Sequence, residues 1–165
     1  MKTVKVNQIE IANNKPFVLI AGLNVLEDEK TIEKVVSSCV KATSELNIPY
    51  IFKASYDKAN RSSINSYRGP GITRGIEILS EIKKDYNIPI ISDIHTTNEA
   101  QKASDVLDII QIPAFLSRQT DLIEAACQTN LPINIKKGQF LAPADMLNII
   151  SKCNHFNNEN ILICE

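Results

Sequence analysis

Short apolar runs alternate with amphipathic segments along most of the chain, and this rhythm constrains the fold more than any other feature. The runs cover residues 16–22, 49–53, 89–93, 107–111, 132–136 and 161–164. Between them, apolar residues recur with helical periodicity, as at Ile32, Val36 and Cys39 after the first run. Strands that alternate with helices predict a parallel sheet covered by helices. Because the first run is apolar throughout, we expect its strand to be buried on both faces.

Polar side chains gather where the predicted strands end. They are Asn24, Lys53, Asp93 with His95, Gln111, and Lys136 with Gln139. This placement is typical of a (β/α)8 TIM barrel, whose active site lies at the carboxyl ends of the strands. The alternative is a doubly wound open sheet. That fold usually has a glycine-rich turn after its first strand, whereas this chain has no GxGxxG sequence.

The number of predicted strands limits how much of a barrel the chain can form. The pattern contains six barrel strands, whereas a closed barrel has eight. Before them, residues 4–11 alternate apolar and polar side chains on two arms, which predicts a β-hairpin. The predicted fold is therefore α/β, an incomplete (β/α)8 TIM barrel of about six parallel strands with an N-terminal β-hairpin. We expect one domain over residues 1–165, truncated before the last strands of the barrel.

The charge and the cysteines exclude several classes of protein. The formal net charge of −1 provides no general attraction to nucleic acids or anionic membranes. The four cysteines are widely spaced and lack zinc-ligand spacing, so we expect reduced thiols in a cytoplasmic protein. The apolar run at 17–23 is far too short to cross a bilayer, and the alternating N-terminus is unlike a secretory signal.

A long basic loop is predicted between the second strand and the second helix, at residues 53–71. It carries Lys53, Lys58, Arg61 and Arg68 among serine hydroxyls and asparagine amides, against a single acidic residue, Asp57. Cations interleaved with such donors favour the binding of a phosphorylated or carboxylated small molecule. The alternative is a solvated basic loop without a ligand.

Three other strand ends carry candidate functional residues. Asp93 and His95 form either a proton-transfer pair or a helix-approach cap with a rim histidine. Lys136 and Lys137 are adjacent, so one should face the barrel mouth and the other the helices. The segment after Gln111 either presents backbone N–H groups to an anion or makes a rigid turn. The sequence offers no credible set of metal ligands, since it has two histidines and no cysteine–histidine pair with ligand spacing.

Eight short motifs are distributed over the whole chain. They are GLNVLE at 22–27, FKAS at 52–55, DKANRSS at 57–63, SYRGPG at 66–71, DIH at 93–95, QIPAFL at 111–116, RQTD at 118–121 and KKGQF at 136–140. Together they resemble the 3-deoxy-D-manno-octulosonate 8-phosphate synthase family, without obvious gaps. The related synthase of a seven-carbon aromatic precursor typically carries K-P-R-T-S at the place of KANRSS, so it is the weaker match.

The resemblance implies a transferase that condenses phosphoenolpyruvate with D-arabinose 5-phosphate and water in lipopolysaccharide biosynthesis, and that releases phosphate. Lys58 and Lys136 would neutralise phosphoenolpyruvate, and residues 60–62 would hold the sugar phosphate across a subunit interface of a homotetramer. The implied catalytic residues are Asn24, Lys53, Asp93 and His95. The implied substrate-binding residues are Lys58, Asn60, Arg61, Ser62, Gln111, Ala114, Lys136 and Gln139.

The same resemblance implies that neither a metal nor a cofactor is needed, since Asn24 stands where metal-dependent members have a cysteine. Members of the family continue past the position of Glu165 with an arginine for phosphoenolpyruvate and with further site residues. We therefore expect residues 1–165 alone to lack synthase activity. Two other functions stay open: a class I aldolase with Lys136 as its Schiff-base nucleophile, and a non-catalytic phosphate-binding remnant.

Overall fold

The N-terminal segment folds as the predicted β-hairpin. The structure is a computed structural model that describes residues 2–165. Strands β1 (Val4–Val6) and β2 (Ile9–Ile11) pair antiparallel across a tight turn. Asn7 begins that turn with φ of 53°, a left-handed conformation that asparagine tolerates better than most residues. The two predicted arms are thus joined by a turn that begins at Asn7.

Six parallel strands form the main sheet, as predicted. They are β3 (Leu19–Gly22), β4 (Tyr50–Lys53), β5 (Ile90–Asp93), β6 (Ile109–Ile112), β7 (Ile133–Lys136) and β8 (Ile161–Cys164). Each strand pairs with the next one along the chain, in the order β3-β4-β5-β6-β7-β8. This sequential order is that of a TIM-like barrel rather than a doubly wound sheet, whose strand order reverses. The described chain therefore forms an incomplete TIM-like barrel.

Helices cover the outer face of this sheet. They are α1 (Glu29–Glu45), α2 (Gly71–Tyr86), α3 (Thr97–Ser104), α4 (Thr120–Gln128) and α5 (Met146–His155). Short 3-10 turns at Ala114–Leu116 and Pro143–Asp145 precede the last two helices. The main core lies between helices and sheet, where Phe52 and Ile110 pack in one cluster with Leu79. In residues 2–165, no helix combines the length and apolarity that a bilayer crossing requires.

The hairpin closes one end of the inner face of the sheet. Val6 packs there against Ile51, Ile91 and Ile109, which point inward from β4, β5 and β6. Side chains two positions apart on a strand share a face. The inward side chains nearer the carboxyl ends of these three strands are therefore Lys53, Asp93 and Gln111. Apolar packing fills the amino end of the inner face, and polar groups occupy the carboxyl end.

One prediction about burial is wrong. β3 was expected to be buried on both faces, but Ile20 on its inner face is 37% exposed. The reason is its position, since within the described chain β3 pairs with β4 on one side only. An apolar run predicts a buried strand only where neighbours are present on both sides.

Candidate active site at the carboxyl ends of the strands

The carboxylate of Asp93 is the centre of the site. It is buried at the end of β5, and its Oδ1 accepts a short hydrogen bond from Ser55 Oγ. Oδ1 also lies 3.8 Å from Lys53 Nζ. Oδ2 lies 3.8 Å from Lys58 Nζ and 3.4 Å from His95 Nε2. One buried carboxylate thus faces two ammonium groups and an imidazole.

Lys53 reaches Asp93 mainly through Ser55. Its Nζ donates to Ser55 Oγ at 2.8 Å, and the same hydroxyl donates to Asp93. Ser55 is fully buried two residues beyond the end of β4. Lys53, Ser55 and Asp93 therefore form a continuous chain of hydrogen bonds from β4 to β5.

Burial and neighbouring charges set the protonation states of Lys53 and Asp93. Burial lowers the pKa of Lys53 to about 8, with further lowering by the charges of Lys58 and Lys136, although Asp93 opposes the change. Burial opposes ionisation of Asp93 as well. The contact with His95 and the charges of Lys53 and Lys58 outweigh it, and they hold the pKa of Asp93 well below its usual range. At neutral pH Asp93 is an anion, and Lys53 is protonated but close to its titration range.

His95 lies between two carboxylates. Its Nε2 faces Asp93, and its buried Nδ1 lies 3.3 Å from Glu99 Oε2, in a geometry that departs from a hydrogen bond. Burial disfavours the charged ring, but Asp93 and Glu99 outweigh burial and raise the pKa of His95 to about 9. Burial likewise opposes ionisation of Glu99, yet contacts with His95 and Tyr56 lower its pKa to about 2. The two carboxylates therefore favour the charged form of His95 at neutral pH.

The next two strands bring amides and a third lysine to the same face. Gln111 on β6 is buried and accepts a hydrogen bond from Asn134 Nδ2 on β7 at 3.0 Å. Lys136 ends β7 and is exposed, and its charge contributes to the lowered pKa of Lys53. Lys137 points elsewhere, with its Nζ 3.3 Å from the carbonyl oxygen of Leu141. The two adjacent lysines thus lie on different sides, as alternation predicted.

The basic loop is ordered by its own backbone and one ion pair. The backbone N–H of Lys58 donates to the carbonyl of Arg68 at 2.6 Å, and the Arg68 guanidinium binds Asp57 at 2.8 Å. Gly69 has φ of 117°, and a Cβ there would lie 2.4 Å from the carbonyl oxygen of Tyr56. These contacts turn the loop back on itself and bring the largely buried Lys58 to Asp93.

Several predicted site residues lie on the surface instead. They are Asn24, Asn60, Arg61, Ser62 and Gln139, with Ala114 half-buried after β6. Arg61 Nε donates to the carbonyl of Tyr67 at 3.2 Å, and Arg61 lines a cavity of about 600 Å³ with Glu27 and Asp28. The structure therefore brings together Lys53, Lys58, Asp93 and His95, whereas residues 60–62 of the described chain make no hydrogen bond or ion pair with Asp93.

A second cavity lies in the helical layer. This cavity of about 730 Å³ lies between α1 and α2, lined by Glu33, Glu81, Asp85 and Arg74 among others. Its lining does not include Lys53, Asp93 or His95, so it is separate from the candidate site. Within residues 2–165, no group of three or more histidine, cysteine or acidic side chains is arranged to hold a metal ion.

Tyr56 and Glu99 are candidate-site residues that the sequence-based prediction missed, and Ser55 entered it only as one of the serine hydroxyls of the basic loop. Ser55 follows Lys53 by two positions, so strand alternation could have placed both on one face. Glu99 follows His95 by four positions at the start of a predicted helix, which is a weak signal for a contact. Tyr56 has no such signal, because its hydroxyl meets Glu99 only in the folded chain.

Comparison with known proteins covers almost the whole chain. Residues 2–165 match a family described as the "DAHP synthetase I family". The chain is 57% identical over 164 residues to "2-dehydro-3-deoxyphosphooctonate aldolase" of Hahella chejuensis, and 56% identical over 164 residues to the protein of that name from Psychromonas ingrahamii. Both matches cover 99% of this chain and 58% of the relative. The chain thus spans a little over half the length of these curated relatives.

Proposed function

The chain belongs to the DAHP synthetase I family, and on that premise we propose that it acts in the condensation of phosphoenolpyruvate with D-arabinose 5-phosphate and water. The products would be 3-deoxy-D-manno-octulosonate 8-phosphate and inorganic phosphate. The relatives support this reaction, because their name refers to a phosphorylated 2-dehydro-3-deoxyoctonate, which is an eight-carbon keto acid. The protein would then be a transferase of lipopolysaccharide biosynthesis.

The cluster of cations around Asp93 is the observation that carries this proposal. Both substrates are anions, so a site that brings them together has to offset their repulsion with fixed positive charge. Lys53 and Lys58 lie within 3.8 Å of the Asp93 carboxylate, and the charge of Lys136 reaches Lys53 from β7. Three lysines from three separate segments therefore supply that charge at one strand-end face.

The reaction also needs a proton donor. When the methylene carbon of phosphoenolpyruvate attacks the sugar aldehyde, the aldehyde oxygen takes the electron pair of its broken π bond and requires a proton. Lys53 suits this step, since a pKa of about 8 keeps it protonated at neutral pH and close to the operating range. The attack leaves C2 electron-deficient, and water adds there with loss of a proton, which can restore the Lys53 ammonium. The bond from C2 to the phosphate oxygen then breaks, the new C2 hydroxyl becomes the keto group, and its proton leaves with the phosphate.

The remaining predicted residues would contact the substrates from the rim of the site. The exposed segment 60–62 would hold the sugar phosphate across a subunit interface in a homotetramer, which its exposure would allow. Gln111 on β6, Ala114 in the turn after β6 and Gln139 after β7 would contact phosphoenolpyruvate. Asn24, a neutral amide, favours a reaction without a metal. The four free cysteines of the described chain favour the reducing cytoplasm.

A chimaera tests this function directly. Residues 2–165 would replace the matching segment of the Hahella chejuensis relative, which is 57% identical to this chain. We expect phosphate release that requires both phosphoenolpyruvate and arabinose 5-phosphate, and loss of that release in the Lys53→Ala chimaera. A stable, tetrameric chimaera without arabinose-dependent phosphate release would contradict the proposal. Lys30→Ala, in an exposed position of α1, is the matched control.

The role of Arg61 can be separated from that of the lysines in the same chimaera. Arg61→Ala should raise the KM for arabinose 5-phosphate about ten- to a hundred-fold, because a charge-assisted phosphate contact contributes roughly 1.5–3 kcal/mol. The KM for phosphoenolpyruvate should change little. An equal rise in both KM values would exclude Arg61 as the sugar-phosphate ligand.

A second candidate mechanism forms an imine between a lysine and the substrate carbonyl. An amine attacks a carbonyl only when it is unprotonated, and the lowered pKa of Lys53 brings it closer to that state than an ordinary lysine. The sequence-based alternative placed the imine at Lys136, which is exposed. Borohydride reduction in the presence of arabinose 5-phosphate distinguishes the mechanisms. The condensation proposed above leaves no lysine adduct, whereas an imine would add the mass of the reduced sugar phosphate at one lysine.

A further inference from the structure

Three groups converge on a single oxygen of Glu99. Glu99 Oε2 accepts a hydrogen bond from the backbone N–H of His95 at 2.7 Å and another from Tyr56 Oη at 2.7 Å. The Nδ1 atom of the His95 ring lies 3.3 Å from the same oxygen. One carboxylate in the first turn of α3 thus contacts both the backbone and the ring of His95.

Tyr56 is itself held in one position. Its side chain is fully buried, and its ring meets the His95 ring edge-on with 5.8 Å between the centroids. Gly75 on α2 provides the space for it, since a Cβ at that position would lie 2.2 Å from the Tyr56 Cβ. Burial and the bond to Glu99 raise the pKa of the Tyr56 hydroxyl, so it remains a hydrogen-bond donor.

Charged or titratable groups from β4, the loop after it, β5 and α3 lie beside the His95 ring or beside its partner Asp93. β5 contributes Asp93, which faces Nε2, and α3 contributes Glu99, which faces Nδ1. The loop after β4 contributes Tyr56 and Lys58, and Lys53 ends β4 beside Asp93. Nδ1 makes no hydrogen bond within the described chain, so Glu99 acts on the ring by its charge. Opposite charges on both sides of the ring therefore favour its charged form.

We infer that Glu99 is a positioning residue: together with Tyr56 it holds His95 as an imidazolium whose Nε2 faces Asp93. Its significance for catalysis rests on the proposed function, because His95 then adds a third positive group beside the Asp93 carboxylate. The contacts themselves belong to this chain whatever its reaction is.

The charge of His95 is measured most directly by ¹⁵N NMR of the imidazole nitrogens in the 165-residue chain. The chain has only two histidines, so His95 and the exposed His155 give a simple spectrum with an internal control. In the unmodified chain at pH 7 we expect both ring nitrogens of His95 to be protonated. A neutral His95 ring at pH 7 would overturn the inference without any variant.

Glu99→Gln then tests the carboxylate itself. Removing one facing charge should lower the pKa of His95 by about one pH unit, since an adjacent opposite charge typically shifts a pKa by one to three units. Glu99→Asp keeps the charge and should retain most of the effect, which a loss of packing alone would not explain. Glu29→Gln, also a first-turn glutamate, is the control. An unchanged His95 titration in a folded Glu99→Gln chain would refute the role.

The chimaera described above connects this residue to turnover. There, Glu99→Gln should steepen the alkaline limb of the kcat profile and move it to lower pH, because His95 then titrates close to Lys53. If the chimaera releases no phosphate, the proposed function fails while the NMR result stands. If the chimaera is active and the pH profile of Glu99→Gln is unchanged, the positioning role fails while the proposed function stands.

Discussion

Asp93 determines the charge balance of the candidate site at the scale of single residues. Its carboxylate is the group that opposes the lowering of the Lys53 pKa by burial. In Asp93→Asn, Lys53 would lose this partner, and we expect its pKa to fall below about 8, by about one further unit. ¹³C-dimethyl labelling of the lysines followed by NMR titration measures this. Asp57→Asn, which removes the partner of Arg68 instead, should leave Lys53 unchanged.

His95 should make the stability of the chain depend on pH. A histidine whose folded pKa is raised stabilises the protein fully below its unfolded value of 6.5, and this contribution is lost as the pH rises through about 9. Lys53 acts in the opposite sense, because the penalty of burying its charge is relieved only above about 8. The histidine contribution is therefore isolated between pH 6.5 and pH 8.

Urea unfolding at pH 6.5 and pH 8 checks this dependence. Over that interval the unmodified chain should lose about 1 kcal/mol more stability than His95→Gln does. His155→Gln should behave like the unmodified chain, since His155 is exposed. Parallel losses in all three proteins would show that the His95 ring is not stabilised by its two carboxylates.

The sequence predicted the site residues that close strands, and it missed those that support them. Lys53, Asp93 and His95 were identified because polar groups at the ends of apolar runs are conspicuous. Ser55 and Glu99 are ordinary residues in a loop and a helix, and their roles depend on a hydroxyl or carboxylate reaching another segment. Such contacts are set by tertiary packing, which a local pattern does not encode.

At the scale of elements, the contact between α2 and the β4–α2 loop requires that position 75 has no side chain. Glycine in a helix interior normally costs about 0.5–1 kcal/mol relative to alanine, so Gly75→Ala would ordinarily stabilise α2. Here the added methyl would lie 2.2 Å from the Tyr56 Cβ. We expect a net destabilisation of about 1–3 kcal/mol from overpacking, measured by urea unfolding. Ser80→Ala, at an exposed site of α2, is the control. It should change the free energy of unfolding by no more than a few tenths of the change expected for Gly75→Ala.

The sequence specifies the order of strands and helices better than it specifies their burial. The order of strands and helices followed from periodicity alone, and the Asp28 side chain accepts from the backbone N–H of Thr31 as a helix cap. Burial of β3 did not follow, because it depends on which strand lies on its far side. A single segment can specify its own conformation but not the presence of its neighbours.

At the scale of the whole molecule, the sheet has two parallel edges within the described chain. β3 pairs only with β4, and β8 pairs only with β7. Ile163 on β8 is 41% exposed, beside backbone groups that have no partner strand on that side. Exposed apolar edges favour association between chains. We therefore expect the isolated 165-residue chain to self-associate on size-exclusion chromatography.

A charged residue at the edge should reduce this association. Ile163→Lys places a charge on the exposed strand, a substitution that disfavours edge-to-edge pairing. Leu147→Lys is the matched control, because Leu147 is 68% exposed on α5 and is not at an edge. A monodisperse monomer without any substitution, or equal effects of both lysines, would exclude edge pairing as the cause.

The hairpin that closes the inner face has a consequence for the time order of folding. Each strand of the sheet pairs with the strand before it, so a newly synthesised βα unit can dock on its predecessor at once. The hairpin instead bonds through Asn7 to Asp108, 101 residues later, and Lys2 pairs with Glu159, 157 residues later. Contacts that span so much chain form slowly. The hairpin therefore leaves the ribosome before the strands of the sheet, yet it is among the last segments to acquire its partners.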